Sequence, residues 1–328
     1  MPGRINELRW DMGKVAPLAF SKDCHSGDWQ TKHVSFSTDF LNTNRIRILI
    51  TPNVTEVKDA APIAAVVPVV KNVTSKGFDL AARSTDCSAG STGFHWIAVS
   101  DDPPAEMPKI TVRAGLLPSK HFEPDCVQGD WAIWDSYRYP RGFGDWCPET
   151  ENGDEPHVVV SPGNLHVLQV AATVGTIDAR GLLFPSRDRD GFNLRARSSD
   201  CTAGESMFYY LAASKKCSDP FPRNLFIDDA DIWIEHTYAP DCQYGDWFTQ
   251  DIYFSYVFMT PPVVLVTAND RGFDHSLIHT AAVVGVVTNV TTHGFTLRTR
   301  NSDCSSGRVG FYFVAIGCLE QDICTKKS

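Results

Sequence analysis

No stretch of this 328-residue chain stays apolar long enough to cross a bilayer as a helix. The longest runs, Ile63 to Val70 and Ala281 to Val287, fall far short of the ~20 residues a spanning helix needs and read as buried strands. There is no Lys/Arg-rich run, and the formal net charge is -9. That excludes a general phosphate-backbone binder, which needs a basic patch. Gly-x-Ser-x-Gly, His-Glu-x-x-His, Cys-x-x-Cys and phosphate-loop patterns are missing too, so no nucleophile, zinc pair or nucleotide cradle stands out. The opening residues Met1 to Trp10 hold no uninterrupted apolar core of the signal-peptide kind. This predicts a cytoplasmic chain, export by another route, or a mature form. Helical periodicity is also lacking.

What is present is repetition. An Asp-Cys-x-x-Gly-Asp-Trp block stands at Asp23 to Trp29, Asp125 to Trp131 and Asp241 to Trp247. A block that opens Gly-Phe-x-Leu-x-x-Arg and closes Asp-Cys-(Ser/Thr)-(Ala/Ser)-Gly follows at Gly77 to Gly90, Gly191 to Gly204 and Gly294 to Gly307. A period of about 100 residues is domain-sized, long enough for each copy to bury a core. The expected domains are 1–101, 102–220 and 221–328, meeting at the linkers Asp101-Asp102-Pro103-Pro104 and Asp219-Pro220-Phe221-Pro222-Arg223.

Period-two alternation, as in Ile232-Trp233-Ile234-Glu235-His236 and Phe295 to Arg300, predicts strands almost throughout. In the first copy they fall near Leu8 to Met12, Val34 to Ser37, Arg45 to Thr51 and Ala64 to Val70, from Phe78 onward, and at Phe94 to Val99. The opening strands of the other copies are expected near Ile110 to Val112 and Ile232 to Ile234. The fold class is therefore all-β, as three tandem six-stranded antiparallel β-sandwiches. The second copy diverges, with extra residues near Arg138 to Pro156 and Ala179 to Asp190. Such loops are where function or partner contact is usually added.

Of ten cysteines, six recur as Cys24 with Cys87, Cys126 with Cys201, and Cys242 with Cys304. They read as one disulfide per copy or as three pairs of buried thiols. A bridge closing a loop of that length contributes roughly 4 kcal/mol in the chain-entropy description. The pairing of Cys147, Cys217, Cys318 and Cys324 is open. Asn-Val-Thr sequons at Asn53, Asn72 and Asn289 are glycan acceptors if the chain enters a secretory pathway. Cysteine usage points to a secreted or extracellular-surface protein, with a cytoplasmic location as the alternative.

The opening strand closed by Gly13 or Gly115, the Asp-Cys with a Trp soon after, the apolar central strand, the Gly-Phe-x-Leu motif and a last strand such as His95-Trp96-Ile97-Ala98 together resemble the H-type lectin domain. That family includes snail agglutinins and the C-terminal domains of discoidins. The resemblance covers essentially the whole chain as three copies. It implies six-stranded sandwiches that assemble as a trimer, here as an intrachain pseudo-trimer, and that bind N-acetylgalactosamine or galactose near the strand ends. The family's Trp-His position is occupied here by Ser84-Thr85-Asp86, Ser198-Ser199-Asp200 and Asn301-Ser302-Asp303, and its central-strand Arg has no counterpart, the nearest residues being Ile63, Val170 and Thr280. The sugar is therefore not carried over.

Two constellations carry recognition chemistry. Asp28 with Trp29, Asp130 with Trp131, and Asp246 with Trp247 pair a carboxylate that accepts from sugar hydroxyls with an aromatic face for pyranose C–H groups; the alternative is a buried Trp and a turn-capping Asp. Arg83 with Asp86, Arg197 with Asp200, and Arg300 with Asp303 offer a donor fork and an acceptor, or else a brace for the cysteine loop. His25, matched by Val127 and Gln243, argues against a zinc site, and His95, matched by Tyr209 and Tyr312, reads as a strand-surface residue.

Three weak sites on one chain gain avidity on clustered glycans. The expected function is a non-enzymatic, multivalent carbohydrate-binding protein, with glycans or glycoproteins as partners and no nucleic acid, membrane insertion, cofactor or metal. It acts as a monomer or a higher homo-oligomer. The alternatives are a lectin-like interaction module that has lost its sugar, and a glycan hydrolase built on the paired aspartates.

Overall fold

The computed structural model describes residues 10–20, 29–54, 64, 66–84, 89–100, 112–122, 132–138, 157–163, 170–175, 191–198, 204–214, 226–234, 236–238, 247–269, 283–301 and 307–318. Repeat 1 contributes β1 (Trp10–Phe20), β2 (Gln30–Ser35), β3 (Ile46–Val54), β4 (Val66–Lys71), β5 (Gly77–Ser84) and β6 (Gly90–Ser100). Repeat 2 contributes β7 (Val112–Phe122), β8 (Ala132–Arg138), β9 (His157–Gly163), β10 (Val170–Gly175), β11 (Gly191–Ser198) and β12 (Gly204–Ala213). Repeat 3 contributes β13 (Phe226–Ile232), β14 (Phe248–Tyr253), β15 (Val263–Asn269), β16 (Val283–Thr288), β17 (Gly294–Asn301) and β18 (Gly310–Gly317). A 3-10 turn at Thr43–Arg45 interrupts the strands. No helix among the described residues is long and apolar enough to cross a membrane.

The expectation of purely antiparallel sandwiches is corrected by the sheets themselves. Their orders are β1-β6-β3-β16-β17-β14, β13-β18-β15-β10-β11-β8 and β2-β5-β4-β9-β12-β7. Pairing within a repeat is antiparallel, but each sheet joins two repeats through a parallel contact: Val287 beside Asn53, Thr173 beside Ala268, and Val70 beside Gly163. A free third- or fourth-strand edge would present unpaired N–H and C=O groups; pairing across repeats covers part of it. The links run from repeat 1 to 3, from 3 to 2 and from 2 to 1, and so close a ring around a pseudo-threefold axis.

Each repeat packs its own core between its two half-sheets, for example Ile48, Phe78, Phe94 and Trp96 in repeat 1. The third and sixth strands bury their opposite face as well. Leu49, Ile97, Val159, Leu211, Leu265 and Val314 form a further cluster along the axis. This double burial is why β3, β15 and β18 are buried at every residue, and why their sequences are apolar runs rather than alternations.

Around the axis a hydroxyl from each repeat serves the backbone of the next. Val266 N–H donates to Thr51 Oγ1 at 3.0 Å, Ile50 N–H to Ser161 Oγ at 2.8 Å, and Val160 N–H to Thr267 Oγ1 at 2.9 Å. The sixth-strand residue next to each hydroxyl also crosses the boundary: Tyr209 joins the core of repeat 1 and Tyr312 that of repeat 2. The third member, His95, is fully buried rather than on the surface, and its Nδ1 accepts from Val264 N–H of repeat 3 at 3.1 Å. Burial lowers its pKa from the ordinary 6.5 to about 3, with Lys14 on the paired strand adding to the effect.

The repeated Gly-Phe has a steric cause. A Cβ at Gly77 would stand 2.2 Å from the Val34 carbonyl oxygen, and one at Gly294 would stand 2.1 Å from that of Ile252; no side chain fits at either position. The turns leading into these strands place Asn72 and Asn289 in the left-handed region, each with φ 49. Thr74 and Thr291 tie the same turns to the carbonyls of Gly77 and Gly294. The repeated Asn-Val-Thr is thus turn chemistry, whereas Asn53 is buried and donates its amide to Val287 O across the repeat boundary.

One opening strand lies earlier than expected. β13 reaches only the first residue of the expected Ile232 to Ile234 and begins six residues earlier, with Asp228 and Asp229 buried in it. Asp228 accepts from Ser255 N–H and Asp229 pairs with His157, so neither carboxylate is left unmet. The six repeated cysteines and the two long loops of repeat 2 lie outside the described residues. Cys318, the one cysteine among them, is disulfide-bonded.

Candidate functional site

The second and fifth strands of each repeat form the outward part of a sheet. On β5, Phe78, Leu80 and Ala82 point into the core, so Asp79, Ala81 and Arg83 point away from it. Trp29, half-buried one residue ahead of β2, lies under the Arg83 guanidinium, 5.3 Å from its carbon to the ring centroid. Repeat 3 does the same: Arg300 sits over Trp247 at 5.7 Å. Arg83 pairs in register with Val67 of β4, and Arg300 with Val284 of β16, so both rows run Val, Arg, Trp from the axis outward. The backbone of Arg197 holds the matching place opposite Ala171.

Trp247, partly buried, also packs against a cluster made of Val54, Val67, Val284 and Val286. Two of these valines belong to repeat 1, so the cluster spans the junction between repeats 1 and 3. Further along the face, Asp79 accepts from Asn72 Nδ2 at 2.8 Å and contacts His33 Nδ1 at 2.8 Å. These two hydrogen bonds hold its carboxyl below the usual range. In repeat 3 the carboxylate has moved to the edge strand, where Asp251 accepts from Thr296 Oγ1 at 2.6 Å.

None of the expected Asp-Trp or Arg-Asp pairs lies wholly within the described residues. Trp29 with Arg83 and Trp247 with Arg300 meet; Asp28, Asp86, Asp130, Trp131, Asp200, Asp246 and Asp303 lie outside the described residues, and of Arg197 only the backbone is described. Sequence reading expected each Trp to meet an adjacent Asp, whereas the described contact is with the Arg of the neighbouring strand. The outward parity of Arg83 and Arg300 was the available signal, since both stand at odd spacing from the inward Phe of Gly-Phe.

A half-buried indole with a guanidinium on one face offers an apolar platform for C–H groups and donors for hydroxyl or acidic oxygens. At the end of the axis, Ile50, Val160 and Val266 with Val67 and Val284 line an apolar cavity of about 70 Å³. Among the described residues no His, Cys, Asp and Glu group is arranged to hold a metal. No family model matches the chain, and no curated protein or solved structure matches it either.

Proposed function

We propose that this protein is a non-enzymatic, multivalent carbohydrate-binding protein whose sites are the outward Trp-Arg rows. The observation that carries the reading is the recurrence of one guanidinium-on-indole pair at equivalent, solvent-facing positions of repeats 1 and 3. A stacked pair kept for stability alone is worth only about 0.5–1 kcal/mol at such exposure, a weak reason to build it twice. The resemblance to H-type lectins points to galactose- or N-acetylgalactosamine-type glycans on a secreted or cell-surface partner, and the closed ring spaces the rows around one axis, as avidity requires.

The test is a glycan array followed by titration calorimetry of the full chain. Wild type is expected to bind a galactose-type ligand, and Trp29→Ala with Trp247→Ala to weaken it by at least tenfold, about 1.4 kcal/mol. Binding unchanged in the double variant overturns the assignment of the rows. One observation favours a second reading, a protein-interaction module: Tyr256, Val257 and Met259 of repeat 3 are 45%, 59% and 43% exposed and neighbours in sequence. Capture of a protein partner that is lost in Val257→Asp, with no glycan bound on the array, would replace the lectin reading.

A further inference from the structure

We propose that the outward face of repeat 3 takes an acidic oligosaccharide, with Arg298 as the contact for its carboxylate or sulfate group; the proposal rests on the carbohydrate-binding reading above. Arg298 stands two residues before Arg300 on β17, hence on the same face, between Thr249 of β14 and Val286 of β16. Its Nε is buried and has no hydrogen-bond partner. No carboxylate among the described residues pairs with it. The side chain as a whole is only half-buried, and a planar guanidinium fork matches the two oxygens of an acidic group.

Repeat 1 supplies the internal contrast. Ala81 occupies the place of Arg298 there, between Thr31 and Val69, and the next row is occupied by the contacts of Asp79 with His33 and Asn72. The same Trp-Arg row is therefore followed by a second cation in repeat 3 and by a methyl group in repeat 1. Repeat 2 carries Arg195 at this register position, opposite Thr173.

The face of repeat 3 is also longer. Tyr253 closes β14 on the side of Thr249 and Asp251 and is 79% exposed, where repeat 1 has Ser35. From Trp247 to Tyr253 the edge strand runs about 20 Å at an extended rise per residue, more than one sugar ring covers. Asp251 lies between them, which confines the acidic group to the Arg298 end and leaves neutral units to the Tyr253 end. The ligand class is a short acidic chain, stacked at both ends and fixed by one charge.

The experiment is calorimetry of the full chain against matched tetrasaccharides in carboxylated, sulfated and neutral forms. Wild type is expected to prefer an acidic form by about tenfold at low salt, with the preference falling as salt rises. Arg298→Gln, alone and with Arg195→Gln, is expected to remove that preference while leaving neutral binding in place. Ala81→Arg is expected to extend the preference to repeat 1, and Tyr253→Ala to weaken the tetrasaccharide more than a monosaccharide. The carboxylated and sulfated arms show which acid is read. Equal affinity for acidic and neutral chains, or an acid preference that survives both Gln variants, overturns the proposal and leaves the lectin reading standing. No binding to any of the three forms overturns both.

Discussion

Thr51, Ser161 and Thr267, which face the axis, are three versions of one short hydroxyl side chain; Ala81, Arg195 and Arg298, which occupy the matching places on the outward half-sheets, are not alike. The first set makes the same backbone contact three times around the ring. Any one of them, once lost, leaves a buried N–H of the next repeat unmet. The second set lies on the outward half-sheets, where Ala81 is fully covered, Arg298 is half-buried and only the backbone of Arg195 is described. The comparison separates what holds the ring together from what repeats are free to vary. It also explains why the Trp-Arg rows, alike in repeats 1 and 3 although on the permissive face, call for a reason other than stability.

The contrast is most sharply broken at the interlocking aromatics. Tyr312→Ala removes a side chain of repeat 3 that fills the core of repeat 2, and the expected loss is about 3–5 kcal/mol by chemical denaturation. Trp247→Ala, of similar size but on the outward face, is expected to cost well under half of that. Equal losses would mean that the outward rows are structural after all.

The next effect is acid sensitivity seated at the axis. His95 is neutral in the fold down to about pH 3, whereas in an unfolded chain it takes a proton near 6.5. The unfolded state therefore binds more protons between these values, so the stability is whole above about pH 6.5 and is lost as pH falls. At pH 4.5 the loss from this group is about 3 kcal/mol. In His95→Asn, whose side chain does not titrate, the slope of the denaturation midpoint against pH is expected to flatten by one proton. An unchanged slope would show that His95 is reached by water.

The smallest effect belongs to the outward face. The carboxyl of Asp79 is held low by Asn72 and His33, so its contribution is present above the ordinary value of 3.8 and fades as pH falls through the lowered one. The pair with His33 is largely exposed, and Asp79→Asn is expected to cost less than about 1 kcal/mol near neutral pH. A loss comparable to that of Tyr312→Ala would erase the distinction between the two faces.

Much of the fold was legible because local rules suffice for it. Gly77 and Gly294 announce a strand entry that no side chain can occupy, and the inward Phe78 and Phe295 set the parity of everything after them. β13 was misplaced because Asp228 and Asp229 look like a turn until their partners, Ser255 and His157, are known, and both lie far away in the chain. His95 was misread for the same reason: its acceptor role is defined by Val264 of another repeat. Of the candidate site, Trp29, Arg83, Trp247 and Arg300 stand out in the sequence, but the contact that joins each Trp to its Arg runs between strands.

By itself the sequence determined the all-β class, the threefold repetition and the positions where an aromatic, an arginine and a glycine recur, because strand periodicity and steric exclusion act over a few residues. The tertiary structure alone decided that the repeats share their sheets and that Thr51, Ser161 and Thr267 close a ring. Those contacts join residues more than 100 positions apart, and their energy depends on which strand edge is left open for a neighbour, a property that no single repeat contains.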